Sequence, residues 1–353
     1  MAALVLNSSS VFQLKFSAKL SFWTSISATS PSREPLAVIV KKNLALNKLT
    51  KNMKRLFHFK SLLFLIISCQ TFAQTTDALR QKLQQIISTK SAVVGVAIIG
   101  NNGKDSLSIN GNDHFPLQSV FKFHIALAVL SEIDKGKFSF NQKVKIEKKD
   151  LLPNLYSPLR DDYPNGATLP ISKIIKYVVS QSDNVGCEVL LRLMGGPEII
   201  EKYFKDNDFR DISIKINEEV QQANWDLQFQ NWTTPNAANE TLIRFYYNKT
   251  KLLSKKSHNF IWKVMKETET GKKRIKGQLP KGTIVAHKTG SSGANKEGLT
   301  AAVNDIGIVF LPNGQHYFIS VFVSNSTENA DTNEKIIADI SKATWDYFIT
   351  NPQ

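Results

Sequence analysis

Residues 92 to 99 are almost continuously apolar, Asn101-Asn102-Gly103 interrupts the run, and residues 105 to 110 alternate polar with apolar; the pattern predicts two strands joined by a turn. Ahead of them Thr76-Asp77 is placed to cap a helix whose Leu79, Leu83, Ile86 and Ile87 share one face. Strand patterns return only toward the other end, at residues 283 to 287, 300 to 311 and 316 to 325, with Pro312-Asn313-Gly314 as the turn between the last two. An amphipathic helix over roughly 333 to 348 follows. From Ser119 to about Met265 the chain is mainly helical pattern broken by loops. Strands at both ends with helices between predict an α/β (α+β) fold: an antiparallel sheet built from both termini with flanking helices, and an inserted all-helical lobe. The expected divisions are 74–118 and 266–353 for the sheet lobe and 119–265 for the helical lobe.

Within that central region Val120, Phe121, Phe123, Ile125, Ala126, Leu127, Ala128, Val129 and Leu130 make a segment apolar nearly all round, which predicts a helix through the protein centre. Lys122 inside it is anomalous. Ser119, three residues earlier, shares its helical face. A serine hydroxyl is a poor nucleophile unless a neighbour takes its proton. Burial of Lys122, with a second ammonium at Lys288, disfavours the charged lysine and suits it to act as that base. Alone, Ser119 reads as well as a helix N-terminal residue followed by a solvated lysine. Two further motifs change the balance: Ser182-Asp183-Asn184 begins 63 residues after Ser119, and Lys288-Thr289-Gly290 begins 106 residues after that. Order and separation carry the signal, since each motif singly is weak.

The chain has 353 residues and a formal charge of +15. Residues 1 to 73 hold ten Lys/Arg and one Asp/Glu, which leaves 35 against 29 and a charge of +6 for the remainder. That residue of charge, with no basic stripe interleaved with aromatics, argues against nucleic-acid binding. Lys54, Arg55 and Lys60 precede a short apolar run from Ser61 to Ser68, and Thr71-Phe72-Ala73 offers a small-residue cleavage site; residues 53–73 therefore read as an export signal with release near Ala73. The run is too short for a stable membrane span. Ile66-Ile67-Ser68-Cys69 also fits a lipoprotein box with a lipid on Cys69. Residues 1–52, Ser-rich and basic, have a composition that also suits an organelle transit peptide, but a signal starting afresh at Met53 favours a non-native extension or disordered leader. A soluble, periplasmic or secreted monomer of about 280 residues is expected. Cys187, in an apolar helical run, reads as a packed core thiol. His124, His287 and His316 show no metal-ligand spacing, and neither metal nor cofactor is expected.

The three motifs together resemble the signature set of the penicillin-recognising serine enzymes. Leu117-Gln118-Ser119-Val120-Phe121-Lys122, Ser182-Asp183-Asn184-Val185-Gly186-Cys187, Phe229-Gln230-Asn231-Trp232 and Ala286-His287-Lys288-Thr289-Gly290 resemble, more narrowly, class A serine β-lactamases of the PER and VEB extended-spectrum branch. The resemblance runs from about Thr75 to the end. It implies Ser119 as nucleophile, Lys122 as its partner, Ser182 as proton relay, and the backbone N–H groups of Ser119 and Ser291 as oxyanion hole. It further implies Asn184 on the substrate's side-chain amide, and Lys288, Thr289, Gly290 and Ser291 on its carboxylate. Glu218 falls in register for the water-activating base, with Glu219 as the adjacent competitor. Arg274 either supports the carboxylate site or is one of several cations in Lys272-Lys273-Arg274. Tyr156 is either an aromatic wall of the cleft or a packing residue. The chain departs from the common class A pattern at Ile216 and Gln222, where an arginine and an asparagine usually flank the glutamate. The missing salt bridge predicts a differently folded loop and a wider cleft, in which Gln222 helps position water. A small β-lactam is the expected partner; a D-alanyl-D-alanine peptidase or a non-hydrolytic β-lactam sensor are the rival readings, the first disfavoured by Glu218 and the second by the lack of a membrane-signalling segment.

Overall fold

The computed structural model describes residues 76–351. The expected leader 1–52, signal 53–73, Cys69 and the cleavage point lie outside the described residues. Helix α1 covers residues 76–88 and already includes Thr76, so the cap expected at Thr76-Asp77 falls inside the helix. Strand β1 (Val93–Gly100) turns into β2 (Asp105–Ile109) through Asn101 and Asn102, both left-handed at φ 51° and 55°, a conformation that asparagine tolerates. Strands β8 (Val285–Ser291), β9 (Thr300–Phe310) and β10 (His316–Ser326) complete an antiparallel sheet of order β2-β1-β10-β9-β8. β1 pairs with β10, Val96 opposite Val321, so the two ends of the chain meet in mid-sheet.

Both sheet faces are covered, which explains the nearly continuous apolar runs. Tyr317, Ile319, Val321 and Val323 point into a core shared with α1 and with the final helix α10 (Ala330–Thr350), whereas Phe318 and Phe322 point into the other core. That second core surrounds α2 (Phe121–Asp134), in which every residue from Phe121 to Ser131 is buried. Helices α3 (Pro158–Asp162), α4 (Ile171–Ser180), α5 (Asn184–Met194), α6 (Pro197–Asp206), α7 (Glu218–Ala223), α8 (Pro235–Tyr247) and α9 (Lys255–Lys266) make up the rest.

The inserted region differs from its expectation in two respects. It carries short strands, β4 (Lys143–Ile146) paired with β5 (Ala167–Pro170), and β6 (Ile212–Ser213) paired with β7 (Trp232–Thr233), which also takes β3 (Phe115–Pro116) from just outside it. Strands of two to four residues are too short to show a period. Helix α8 also lies against the sheet, where Ser320 Oγ donates to Asn239 Oδ1 at 2.7 Å. Among the described residues no helix is long and apolar enough to cross a membrane.

Phe123 is fully buried and meets the Phe245 ring edge-on, centroids 5.3 Å apart. Phe123→Ala is expected to destabilise the protein by about 3–5 kcal/mol, measured by urea unfolding; a loss below about 1 kcal/mol would mean that α2 is not the centre of the core.

Candidate active site

The chain enters α2 through one tight turn, Gln118–Val120, rather than starting the α-helix at Ser119 as the sequence predicts. Gln118 is left-handed at φ 46°. Ser119 and Lys122 still share a face: Lys122 Nζ donates to Ser119 Oγ at 2.6 Å. Lys122 also donates to Asn184 Oδ1 at 2.6 Å and pairs directly with Glu218. An ammonium has three hydrogens, and here three acceptors meet them.

Ser182 stands at φ 61°, immediately before α5. Asp183 caps that helix through Gly186 N (2.6 Å), and its other oxygen accepts from Ser157 Oγ (2.8 Å) and Leu159 N (2.7 Å). Burial raises the Asp183 pKa against those bonds. Its role is to fix Ser182 and Asn184 on either side of it.

Lys288 comes from β8, the sheet's edge strand, which runs to Ser291 instead of ending near residue 287. Hydropathy ends at Ala286, but pairing with β9 continues through Thr289 opposite Asp305 and Gly290 opposite Asn304. Lys288 Nζ donates to Ser182 Oγ at 3.0 Å and to Thr289 O at 2.7 Å. Burial holds its pKa well below the ordinary lysine value, and Lys122 adds to that; Asp305 and Glu218 oppose it. The sequence placed the burial-depressed ammonium at Lys122. In the structure Lys122 is buried with the Glu218 carboxylate against it, and burial lowers the pKa of the Lys288 ammonium. The glycine of this motif has a steric reason: a Cβ on Gly290 would lie 2.6 Å from Leu117 O and 3.2 Å from Ser119 N, so only glycine lets β8 pass the nucleophile's backbone this closely.

A cavity of about 470 Å³ is lined by Ser119, Tyr156, Ser182, Asn184, Glu218, Gln222, Arg274, Thr289, Gly290 and Ser291. Lys122 and Lys288 stand behind its wall, bonded to Ser119 and Ser182. Arg274 is 8% exposed and donates from Nη1 to Gly290 O and Asn304 O, both at 2.9 Å, and from Nη2 to Ser291 Oγ at 2.6 Å. It is therefore not one of the solvated cations beside it. Tyr156 is 59% exposed at the rim.

Glu218 is 1% exposed, whereas Glu219 faces solvent. The loop that carries them is held without a salt bridge at Ile216. Asn231 Oδ1 accepts from Lys215 N (2.7 Å) and Ile216 N (3.1 Å), and its Nδ2 donates to Ile216 O. Glu188 accepts from Glu218 N at 2.6 Å, Glu219 N at 3.3 Å and Asn217 Nδ2 at 2.9 Å. Burial raises the Glu188 pKa, and the two backbone donors oppose it. Gln221 Nε2 donates to Gln118 Oε1 (2.9 Å), and Gln118 Nε2 to Gln228 Oε1 (2.6 Å), a chain that ties the loop to the residue before the nucleophile. Gln222 lines the cavity, but Gln221 beside it makes the buried bonds.

Glu188, Gln221 and Thr270 were not singled out by the sequence, and Gln118 and Asn231 stood there only within motif phrases, without a role. Helical spacing offered one signal, because Glu188 lies one turn after Asn184. Thr270 also lines the cavity, with Oγ1 2.6 Å from Thr289 Oγ1. Cys187 is buried and its thiol pKa is pushed well up by that burial. Among the described residues no group of three or more His, Cys, Asp or Glu is placed to hold a metal.

A serine one turn ahead of a buried lysine, faced by a second serine and by a lysine from a sheet edge, thus meets at a cavity between sheet and helices, an arrangement suited to a serine enzyme. The sequence profile of the β-lactamase enzyme family matches residues 78–348. β-Lactamase VEB-1 of Pseudomonas aeruginosa is 57% identical over 274 residues, 78% of this chain and 91% of that one. Extended-spectrum β-lactamase PER-1 of the same organism is 40% identical over 286 residues, 80% and 92% of the two chains. The crystal structure of TLA-1 extended-spectrum β-lactamase superposes with a TM-score of 0.75 at 48% identity, covering 78% of this chain and 99% of that one. The chain belongs to the β-lactamase enzyme family, and within it to the class A serine enzymes of the PER and VEB branch.

Removing the loop anchor tests its role. Glu188→Ala leaves two backbone N–H groups and the Asn217 amide without their acceptor, and a loss of about 1–3 kcal/mol is expected. Amide hydrogen exchange at Glu218 and Glu219 is expected to accelerate more than at the α2 core; equal protection in both variants would show that the loop is held by Asn231 alone.

Proposed function

We propose that this protein hydrolyses the lactam amide of penicillins and cephalosporins, including bulky oxyimino-cephalosporins, through an acyl-enzyme on Ser119. The observation that carries the reading is the contact of one buried ammonium, Lys122, with both Ser119 Oγ and the Glu218 carboxylate. In the acylation half the Lys122 proton crosses to Glu218, and the amine so formed takes the proton of Ser119 as its oxygen attacks the carbonyl. The N–H groups of Ser119 and Ser291 meet the developing oxyanion. Ser182, held at 3.0 Å by Lys288, hands a proton to the leaving nitrogen. The Glu218 proton returns through Lys122 to the Ser182 oxygen, and in the second half Glu218, so ionised, takes a proton from the water that attacks the ester and passes it on to Ser119 Oγ as the ester breaks. Asn184 holds the side-chain amide, while Thr289, Ser291 and Arg274 face the substrate carboxylate with Lys288 behind them.

The bulky-substrate part of the reading is supported by the loop's anchoring through Asn231 at Ile216, where the wider class has an arginine, and through Glu188, and by two relatives named for an extended spectrum. Tyr156 stands at the rim where such a side chain would pass, and Gln222 faces the water-activating side. We infer from the pattern of residues 53–73 that the enzyme is exported and acts as a soluble monomer outside the cytoplasm.

Purified protein mixed with a chromogenic cephalosporin is expected to turn over continuously; one equivalent of stable adduct by mass would instead indicate a peptidase or a sensor. Ser119→Ala should form no adduct. Glu218→Gln should accumulate the acyl-enzyme and lose about 10²–10⁴-fold in turnover, while Glu219→Gln stays close to the parent. Normal turnover in Glu218→Gln with trapping in Glu219→Gln would move the base by one residue.

A further inference from the structure

His287 and Asp305 take no part in the steps above, although they sit beside Lys288 and Thr289. Both side chains are fully buried. His287 Nδ1 lies 2.9 and 3.1 Å from the two Asp305 oxygens, and because a carboxylate only accepts, Nδ1 carries the hydrogen. Among the described residues His287 Nε2 has no hydrogen-bond partner. The fold makes room for the ring: a Cβ on Gly307, opposite His287 in the β8–β9 ladder, would lie 2.8 Å from His287 Cβ.

The same two residues hold both ends of one segment. Thr268 Oγ1 donates to His287 O at 2.7 Å, and Ile275 N donates to an Asp305 oxygen at 3.2 Å. Between these ends, Thr270 Oγ1 meets Thr289 Oγ1 at 2.6 Å, and Arg274 bonds Gly290 O and Ser291 Oγ. At Gly271, left-handed at φ 69°, a Cβ would come within 2.5 Å of Thr289 Cγ2, so the segment lies flat on the strand. A buried hydrogen-bonded polar pair commonly adds no more stability than well-packed apolar residues would. Its placement is better accounted for by what it positions.

We propose that His287 and Asp305 are positioning residues for recognition of the substrate carboxylate, holding segment 268–275 with Thr270 and Arg274 against Thr289–Ser291 and setting a buried carboxylate beside Lys288. This rests on the reading of Thr289, Ser291 and Arg274 as the carboxylate site. The charges that act on Lys288 are Lys122 and Arg274, which lower its pKa along with burial, and Asp305 and Glu218, which raise it. Removing the Asp305 charge therefore lowers the Lys288 pKa further, and the cation is lost at lower pH.

Binding without turnover separates the two readings. In full-length Ser119→Ala protein, Kd is measured for a cephalosporin and for its methyl ester, alone and combined with Asp305→Asn, His287→Leu or His287→Asn. Asp305→Asn and His287→Leu are expected to weaken the acid about tenfold or more and the ester less than about twofold. His287→Asn keeps an N–H donor toward Asp305 and should recover most of the acid's affinity. The acid's affinity should also fall away at lower pH in Asp305→Asn than in its parent. Parallel weakening of acid and ester, or no change in either, would overturn the proposal; near-isosteric Asp305→Asn decides if His287→Leu fails to fold. A parent that binds acid and ester alike would instead refute the carboxylate site itself, and this inference with it.

Discussion

An ammonium with no exposed surface must find acceptors for three hydrogens, and Lys122 takes them from three segments: Ser119 one turn back, Asn184 62 residues on and Glu218 96 residues on. Taking such a charge out of water is costly unless it is paired and hydrogen-bonded. The start of α2, the N-terminus of α5 and the loop into α7 must therefore converge for the fold to tolerate the lysine at all. Convergence at that point is also what sets the nucleophile, the side-chain amide and the carboxylate within reach of one another. The requirement that satisfies the buried charge and the requirement that assembles the site are the same.

Close approach of backbones is the second constraint. β8 passes the turn before α2 so nearly that Gly290 has no room for a Cβ, and Gly271 presses segment 268–275 onto Thr289 in the same way. These two glycines let an edge strand with polar residues serve as one wall of a cavity. Opposite that wall, the loop bearing Glu218 is fixed by acceptors on two sides, Glu188 from α5 and Asn231 from the start of β7. Glu188 also brings a second carboxylate near Glu218, and its own burial and the neighbouring acidic charges raise its pKa. The loop is thus held by Glu188 at residues 217 to 219 and by Asn231 at Ile216, the position where the wider class more usually has an arginine.

Much of the architecture was legible in the chain. Apolar periodicity placed the major strands within a few residues and put α2 at the centre, because burial on both faces of a sheet or all round a helix leaves an unmistakable composition. What it misjudged has common causes. β8 was cut short at residue 287 because Lys288, Thr289 and Gly290 do not look like strand residues, and only pairing with β9 keeps them extended. The two-residue strands β3, β6 and β7 have no period to read. In the site, Ser119, Ser182 and Lys288 stood out by spacing and Glu218 by its register with the family it resembles, but Glu188, Gln118, Gln221 and Thr270 are ordinary polar residues until the fold brings them together.

By itself, then, the sequence determined the residue types and their order: a serine and lysine one turn apart, a Ser-Asp-Asn helix start, a Lys-Thr-Gly segment, and a glutamate in a loop that lacks its arginine. Only the tertiary structure decided which partners each ionisable group meets. It set Glu218 against Lys122, buried Lys288 so that its pKa falls, withdrew Arg274 from solvent, and placed the His287–Asp305 pair beside Lys288 and Thr289. Spacing along a chain reports neighbours one helical turn apart. Charge state depends on burial and on partners 60 to 110 residues away, and those exist only once the chain has folded.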